Sequence, residues 1–333
     1  MTLSKGIEND IKSSKERKIY KPYFIITISI IQIIVFLISF YINYKSTGKV
    51  ISDLKDNFMI GPSDSVLIKM GARYPLCMKK NKNSTTNYYE CPIGIQGTIP
   101  IEQITLDNSP NGTLLKNPFY CSTSDICGFG LKDNKNPNQW FRFFFPIFIH
   151  KGILHIVINL VFQIRCGMSL EKVYNFWRIM IIYFASGIFG FIFEAGSLEK
   201  IPVIGCSGAL YGLIACVLLD LIKNWKVIVN PVKDLIILII TIIISLGFGI
   251  LPFIDNFSHI GGFIMGILVS IIILPSNKSS GQSQKTKMIS IIISVLISCF
   301  LFFWTIRQFY VSNKKCEWCQ YLNCPPIIDI CKI

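Results

Sequence analysis

The residues best suited to chemistry in this chain are a serine set among glycines and three histidines. Ser207 stands in the segment Gly-Cys-Ser-Gly-Ala-Leu-Tyr-Gly, which runs from Gly205 to Gly212. A serine flanked by glycines can be approached without Cβ crowding, and a position near a helix N-terminus favours developing negative charge. The same spacing also fits a structural contact, in which Gly208 and Gly212 pack on a helix and Ser207 bonds to a carbonyl.

A second glycine motif begins at His259, with Gly262 and Gly266 three and seven residues later. This spacing puts the imidazole and both glycines on one helix face. Two helices with such faces can pack closely, which would bring His259 to Ser207 as a general base. The alternative is that His259 is a packing or proton-relay residue.

A third motif contains the other two histidines, His150 and His155, and ends at Asn159. His155 and Asn159 are four residues apart and therefore share a helix face. Two hydrogen-bond donors that point into the protein at the depth of a nucleophile could bind a tetrahedral oxyanion. The alternative is that both residues bond to neighbouring helices.

The elements that carry these motifs are predicted to be transmembrane helices. Of the 333 residues, 51% are hydrophobic and 16% are charged, and the mean hydropathy is +0.51. Such a composition excludes a disordered chain and makes nucleic-acid binding a poor explanation of the +14 charge. Seven apolar segments reach the roughly 20 residues that span a bilayer, and they predict an all-α polytopic membrane protein with spans at 24–43, 143–164, 176–196, 203–221, 234–252, 257–274 and 287–306.

The distribution of basic residues predicts how the chain is oriented. Fifteen Lys and Arg residues flank one side of the spans, whereas the opposite short loops contain only Lys200. By the positive-inside rule the N-terminus is cytosolic and the C-terminus is lumenal or extracellular. The first 23 residues lack a cleavable apolar stretch, so the first span is expected to be a retained signal anchor. Counting about 1.5 Å per residue places Ser207 and His259 at similar depths, about 10 Å below the lumenal face.

Outside the spans, cysteines and glycosylation sequons indicate an oxidising compartment. Eight of the twelve cysteines fall on the lumenal side, which favours disulfides. Cys316 and Cys319 also have the spacing of half a zinc site, although no histidine lies nearby. Sequons begin at Asn83 and Asn111. The predicted organisation is a cytosolic basic segment 1–23, a span 24–43, a lumenal loop 44–142, a core 143–274 with spans two to six, a seventh span 287–306, and a cysteine-rich lumenal tail 307–333.

With these motifs the chain resembles a rhomboid intramembrane serine protease, in the eukaryotic form that adds a seventh helix to a six-helix core. The resemblance covers about residues 140–275, and the cysteine-rich tail resembles that of plant-like rhomboids. It implies that Ser207 is the nucleophile, that His259 is the general base, and that Tyr211 stacks on the His259 ring. It also implies an oxyanion hole of His155, Asn159 and the Ser207 N–H.

The same resemblance implies roles for residues around the chemistry. Arg142 and Glu171 would form an architectural pair that fixes the loop before the second span. His150 would be a structural or water-holding residue, and Gly205 would line the cavity together with Ser258 and Asn256. Asn175 stands where the family usually has a glycine, and asparagine tolerates positive φ better than most residues. Asp255 lies at a loop edge, so a Ser–His dyad without a carboxylate is expected.

The resemblance implies an endopeptidase that cleaves single-span membrane proteins near the lumenal face, with no metal or other cofactor. Its partners would be transmembrane substrates and the lipid bilayer, with no nucleic acid, in the secretory pathway or the plasma membrane. Two alternatives remain: a non-proteolytic rhomboid-like protein that binds membrane clients and controls their trafficking, and a polytopic transporter whose histidines relay protons. The resemblance also implies that the run Leu235–Ser245, which contains no glycine, forms a lipid-facing gate.

Overall fold

The chain folds into a bundle of long apolar helices with a smaller insertion attached. A computed structural model describes residues 19–80, 88–92, 99–100, 119–132, 136–193, 202–249, 255–275, 283–311 and 319–323. Its helices are α1 (Tyr23–Thr47), α2 (Asp64–Lys69), α3 (Pro75–Met78), α4 (Thr123–Cys127), α5 (Ile153–Phe162), α6 (Met168–Tyr174), α7 (Phe176–Phe193), α8 (Ser207–Lys223), α9 (Pro231–Phe248), α10 (Asn256–Ile273), α11 (Gln284–Val311) and α12 (Gln320–Asn323).

Six helices within the described ranges are long and apolar enough to cross a membrane: α1, the continuous α5–α6 helix, α7, α9, α10 and α11. The helix α8 has 17 residues and packs among them with most of its side chains buried, from Gly208 to Val217. The predicted all-α polytopic class is therefore confirmed for the membrane part of the chain.

The long loop between the first two spans contains a small sheet that the sequence pattern does not predict. The strands β1 (Tyr88–Glu90), β2 (Ile99–Pro100) and β3 (Phe119–Ser122) pair antiparallel in the order β1–β3–β2. Disulfides join Cys77 to Cys127 and Cys91 to Cys121, and these four cysteines lie in or beside a core with Ile68, Tyr74 and Ile126. The insertion therefore has a hydrophobic core of its own.

Several features predicted for the loop 44–142 and the tail 307–333 lie outside the described residues. These are the sequons at Asn83 and Asn111 and the tail cysteines Cys316, Cys324 and Cys331. Cys319, which is described, is disulfide-bonded.

The predicted second span, 143–164, is wrong at both ends. Its first residues form two short 3-10 helices, Trp140–Phe143 and Phe145–Phe148, because Pro146 lacks the N–H that a continuing helix requires. The chain is extended at Gly152, and α5 begins only at Ile153. The helix then continues through a π-helical turn, Gln163–Gly167, into α6. His150 consequently lies before the helix and not within it.

The insertion satisfies the first N–H groups of α5. Ile153 donates its backbone N–H to the carbonyl of Ile60 at 2.9 Å, and Leu154 donates to that of Met59 at 3.3 Å. A Cβ on Gly152 would lie 2.1 Å from the Met59 carbonyl oxygen, so only glycine permits this approach. The insertion thereby fixes the start of the helix that carries His155 and Asn159.

Two pairs of glycines bring α8 and α10 into direct backbone contact. A Cβ on Gly262 would lie 2.0 Å from the Gly208 carbonyl oxygen, and one on Gly266 would lie 2.5 Å from the Gly212 Cα. Because the helices touch backbone to backbone, no side chain separates them. Packing of this kind is common where helices associate in lipid.

The helix α9 lies at the edge of the bundle. Of its eighteen residues only Leu238 is buried, and its exposed side chains are mostly isoleucines. A helix that packs one apolar face on the protein and exposes further apolar side chains on its other faces suits contact with lipid.

The backbone contact between α8 and α10 predicts that Gly262 tolerates no side chain. We expect Gly262→Ala to lower the free energy of unfolding by at least about 2 kcal/mol, because the methyl group must force the helices apart. Unfolding in detergent, followed by the thermal midpoint, measures this loss.

The matched control is Gly247→Ala in α9, where an added Cβ meets no atom within 4 Å. This variant should keep or slightly raise the midpoint, since alanine favours helix over glycine. Equal midpoints for the two variants would contradict the backbone contact between α8 and α10.

Candidate active site

Ser207 and His259 meet where α8 and α10 begin. The Ser207 Oγ and the His259 Nε2 are 2.8 Å apart, within hydrogen-bond distance. Ser207 is the first residue of α8, and His259 lies in the first turn of α10 with 3% of its surface exposed. A serine hydroxyl bonded to an imidazole is the arrangement that lets the imidazole remove the hydroxyl proton.

The His259 ring is held by stacking. Its centroid lies 4.5 Å from that of Tyr211, and the two rings are 12° from parallel. The Tyr211 hydroxyl bonds to the Ser245 hydroxyl on α9. The other ring nitrogen of His259, Nδ1, is buried and has no hydrogen-bond partner among the described residues. Within the described part of the chain, the arrangement is a dyad oriented by packing.

His155 and Asn159 present donors to the same place. Gly205 has a φ of +115°, and a Cβ there would lie 2.9 Å from His155 Nε2 and 3.7 Å from Asn159 Nδ2. Both donors therefore point at the backbone just before Ser207. Asn159 Nδ2 is buried and has no partner among the described residues, which leaves it available to an incoming oxygen.

The tautomer of His155 follows from its other nitrogen. The Lys151 backbone N–H lies 3.4 Å from His155 Nδ1 and donates to it. A neutral imidazole that accepts at Nδ1 carries its proton on Nε2. The Nε2–H is thus the group that faces Gly205, as an oxyanion donor requires.

His150 stands beside this group and outside the dyad. Its ring centroid is 5.4 Å from that of His155, and its Nε2 is 3.5 Å from the Cys206 Sγ. It therefore contacts the residue before Ser207 and the ring of an oxyanion candidate.

The predicted pair of Arg142 and Glu171 is wrong. Arg142 donates to the carbonyls of Ile68, Ala72 and Cys127 at 2.6–2.7 Å, and so holds the insertion. Glu171 instead accepts from the backbone N–H groups of Phe24 and Ile25 at the start of α1. No hydrogen bond or ion pair joins the two side chains in the described structure, because each already has buried backbone partners.

The sequence places Asp255 at a loop edge but does not predict its role as a helix cap. Its carboxylate accepts from the backbone N–H groups of Phe257 and Ser258, both at 3.0 Å, and so caps the His259 helix. Burial raises the pKa of the Asp255 carboxyl to about 6, although its hydrogen bonds and the charge of Arg73 oppose this rise. The signal in the sequence is an aspartate directly before an apolar helix.

An ion pair of Lys151 with Asp64 of the insertion was also not predicted. Lys151 is 1% exposed, and its backbone contacts His155 as described above. Nothing in the local sequence connects residues that are 87 positions apart.

A multi-pass helical membrane protein with a serine hydroxyl hydrogen-bonded to a buried imidazole is the class that this fold and site define. The family model of the Rhomboid domain matches residues 137–276, which include all three motifs. The chain is a member of the rhomboid family.

Named relatives include proteases and inactive forms. Rhomboid-type serine protease 2 of Emericella nidulans is 38% identical over 275 residues, which are 78% of this chain and 51% of the relative. Inactive rhomboid protein 1 is 32% identical in Danio rerio and 30% identical in Homo sapiens, each over 271 residues, which are 77% of this chain. The chain spans about half the length of the first relative and 32% of the other two.

The separation of Arg142 from Glu171 predicts that they contribute independently to stability. Arg142→Gln and Glu171→Gln should each destabilise the protein by about 1–3 kcal/mol, because each leaves buried backbone groups unpaired. In the double variant the two losses should add within about 0.5 kcal/mol. Unfolding of the wild type, the two single variants and the double variant in detergent measures the coupling energy. A coupling energy above about 1 kcal/mol would show that Arg142 and Glu171 do interact.

The buried Asp255 carboxyl predicts a pH-dependent stability. Its pKa is raised from 3.8 to about 6, so the folded chain binds this proton more tightly than the unfolded chain. The stability that it contributes is present below about pH 4 and is lost as the pH rises through about 6.

Relative to Asp255→Asn, which does not titrate, the wild type should therefore lose up to about 3 kcal/mol between pH 4 and pH 7. Thermal midpoints of both proteins across this range provide the measurement. A difference in stability between the wild type and Asp255→Asn that stays constant with pH would show that the carboxyl is hydrated.

Proposed function

We propose that this chain is an intramembrane serine endopeptidase. The single observation that supports this most is the 2.8 Å hydrogen bond between Ser207 Oγ and His259 Nε2, formed between two helices of the membrane bundle. Asn159 Nδ2, which has no hydrogen-bond partner among the described residues, adds a donor where a reacting oxygen would lie. A pair of this geometry beside vacant donors suits acyl transfer at a peptide bond.

The reaction would begin with attack of Ser207 Oγ on the scissile carbonyl carbon, while His259 Nε2 takes the hydroxyl proton. The carbonyl oxygen becomes an oxyanion, which would accept from His155 Nε2–H, Asn159 Nδ2–H and the Ser207 N–H. Because Ser207 begins α8, the positive end of that helix dipole favours the same charge.

Collapse of this intermediate breaks the C–N bond, and His259 returns the proton to the leaving amine. A water molecule then attacks the ester carbonyl and gives a proton to His259. The second intermediate releases the new carboxyl terminus and restores the Ser207 hydroxyl. All proton transfers thus use one imidazole, and Tyr211 stacked on its ring keeps Nε2 aimed at Ser207.

The substrate would be a single-span membrane protein whose helix unwinds near its lumenal end. Small or helix-breaking residues at that end would lower the cost of unwinding. The helix α9, with only Leu238 buried, is the element of the bundle that could move aside most easily. Its bond from Ser245 to Tyr211 connects such a movement to the His259 ring.

The proposed topology has a cytosolic N-terminus and a lumenal or extracellular C-terminus, in the secretory pathway or at the plasma membrane. Two disulfides in the insertion support an oxidising environment for that segment. Glycosylation at Asn83 or Asn111 would mark the same side of the membrane.

A second candidate function is client binding without proteolysis. Several relatives that match this chain carry the name inactive rhomboid protein 1. What favours the protease is that this chain has both the serine and the histidine and holds them in bonding distance. The two functions differ in whether Ser207 is required.

Cleavage of a single-span reporter by the purified full chain in detergent tests the proposal. Ser207→Ala and His259→Ala should each reduce the rate at least about 1000-fold, because the nucleophile and its base act as a unit. Ser294→Ala removes a buried hydroxyl from α11 and should leave the rate unchanged.

Cleavage by Ser207→Ala at the wild-type rate would refute the protease mechanism. Wild-type protein that captures the reporter and never cleaves it, equally well after Ser207→Ala, would support the client-binding function.

A further inference from the structure

The last described segment of the chain lies on the N-terminus of the His259 helix. Asn323 of α12 donates its side-chain N–H to the Asp255 carboxylate at 2.7 Å, and its Oδ1 accepts the backbone N–H of Asn256 at 2.9 Å. Asn323 is 1% exposed. The Asn323 amide therefore donates to the capping carboxylate and accepts from a helix N–H that has no partner within the helix.

The same segment is joined to the end of α9. The Asn256 side-chain N–H donates to the Leu322 carbonyl at 2.8 Å and to the Leu246 carbonyl at 3.1 Å. The last turn of α9 and the tail thus share one donor on α10. Cys319 of the same segment is 5% exposed and disulfide-bonded.

The insertion also places a positive charge that acts on the same carboxylate. Arg73 is fully buried, and its charge attracts Asp255. The Arg73 backbone pairs with Val203 through two hydrogen bonds of 3.0 Å, four residues before Ser207. The Arg73 guanidinium also lies 5.7 Å from the centre of the Phe309 ring on α11. Asp255 is consequently the point where the insertion and the tail converge.

This convergence lies one turn from His259. The His259 backbone N–H donates to the Asp255 carbonyl at 3.3 Å, so the cap and the imidazole belong to the same first turn of α10. Loss of the Asn323 amide would leave the Asn256 N–H without its acceptor and would remove one of the hydrogen bonds that the buried Asp255 carboxylate accepts, which is costly. The turn would relax toward other partners and carry the imidazole with it.

We propose that Asn323 is a positioning residue, through which the lumenal tail holds the first turn of α10 so that His259 Nε2 meets Ser207. The proposal rests on the proposed proteolytic function for its effect on rate, whereas the docking of the tail is independent of it. Asn323 touches no reacting atom and acts through Asp255 and Asn256.

The test compares full-length variants in the detergent cleavage assay. Asn323→Leu has a similar volume and lacks the amide, so kcat should fall roughly 10- to 100-fold, as for misplaced catalytic groups, with KM within about 2-fold. Asn323→Asp should be worse, since it sets a second carboxylate against Asp255. Tyr321→Ala, which alters an exposed side chain of the same segment, is the control and should keep the wild-type kcat.

A swapped pair separates positioning from general damage. In the double variant Asp255→Asn with Asn323→Asp, the amide and the carboxylate exchange places, so the bond between the two side chains, the bond to the Asn256 N–H and the cap on the Ser258 N–H can form again. The Phe257 N–H loses its acceptor, because the amide nitrogen replaces the oxygen that accepted it. We expect this double variant to recover at least about 10-fold in kcat over Asn323→Asp alone. Wild-type kcat for Asn323→Leu, or no recovery in the swap, would overturn the proposal and leave the protease function standing.

Hydrogen exchange tests whether the tail docks on α10, and it does so even if the wild type cleaves no reporter. Absence of cleavage by the wild type would count against the proteolytic function and not against the docking. The amides of residues 256–259 should exchange faster in Asn323→Leu than in the wild type, because Asn256 N–H loses its acceptor. Tyr321→Ala should show the wild-type pattern. Equal exchange in Asn323→Leu and the wild type would overturn the docking.

Discussion

The backbone contact between α8 and α10 is the constraint on which the rest of this structure depends. A hydrogen bond of 2.8 Å between Ser207 and His259 requires their helices to approach more closely than ordinary side chains allow. Glycines at 208, 262 and 266 remove the obstacle, because a Cβ on any of them would meet the opposite helix. A Cβ on Gly212 would instead meet Ser186 on α7. The dyad is therefore a consequence of helix packing, and the motif glycines are as necessary to it as the two reacting groups.

Segments outside the bundle supply hydrogen-bond acceptors for the first N–H groups of two helices in the bundle. The helices that carry candidate site residues begin inside the protein, where their first N–H groups need partners. The insertion provides carbonyls for α5, and Asp255 with Asn323 provides acceptors for α10. The two segments thus act as caps for functional helices, and this explains why polar loops are packed so tightly against a membrane domain.

The sequence predicts those parts of the site that depend on short-range spacing. A serine and a histidine beside glycines at helical intervals indicate a close helix contact, because both the spacing and the geometry are local. The start of α5 is mispredicted, since an apolar run does not reveal that Pro146 and Gly152 interrupt it. Asn323 could not be predicted at all: its partner is 68 residues away, and nothing near it indicates which helix it caps.

The arrangement divides the bundle into a rigid and a loosely attached part. Glycine seams and buried caps hold α8 and α10, whereas α9 has one buried side chain and bonds to its neighbours through Ser245 and the Leu246 carbonyl. The proposed proteolytic function needs such a difference, because Ser207 and His259 would have to stay within bonding distance while an adjacent wall moves to admit a substrate helix. Two residues connect the two parts. Tyr211 bonds to Ser245 of α9 and stacks on His259, and Asn256, the first residue of α10, bonds to the Leu246 carbonyl of α9.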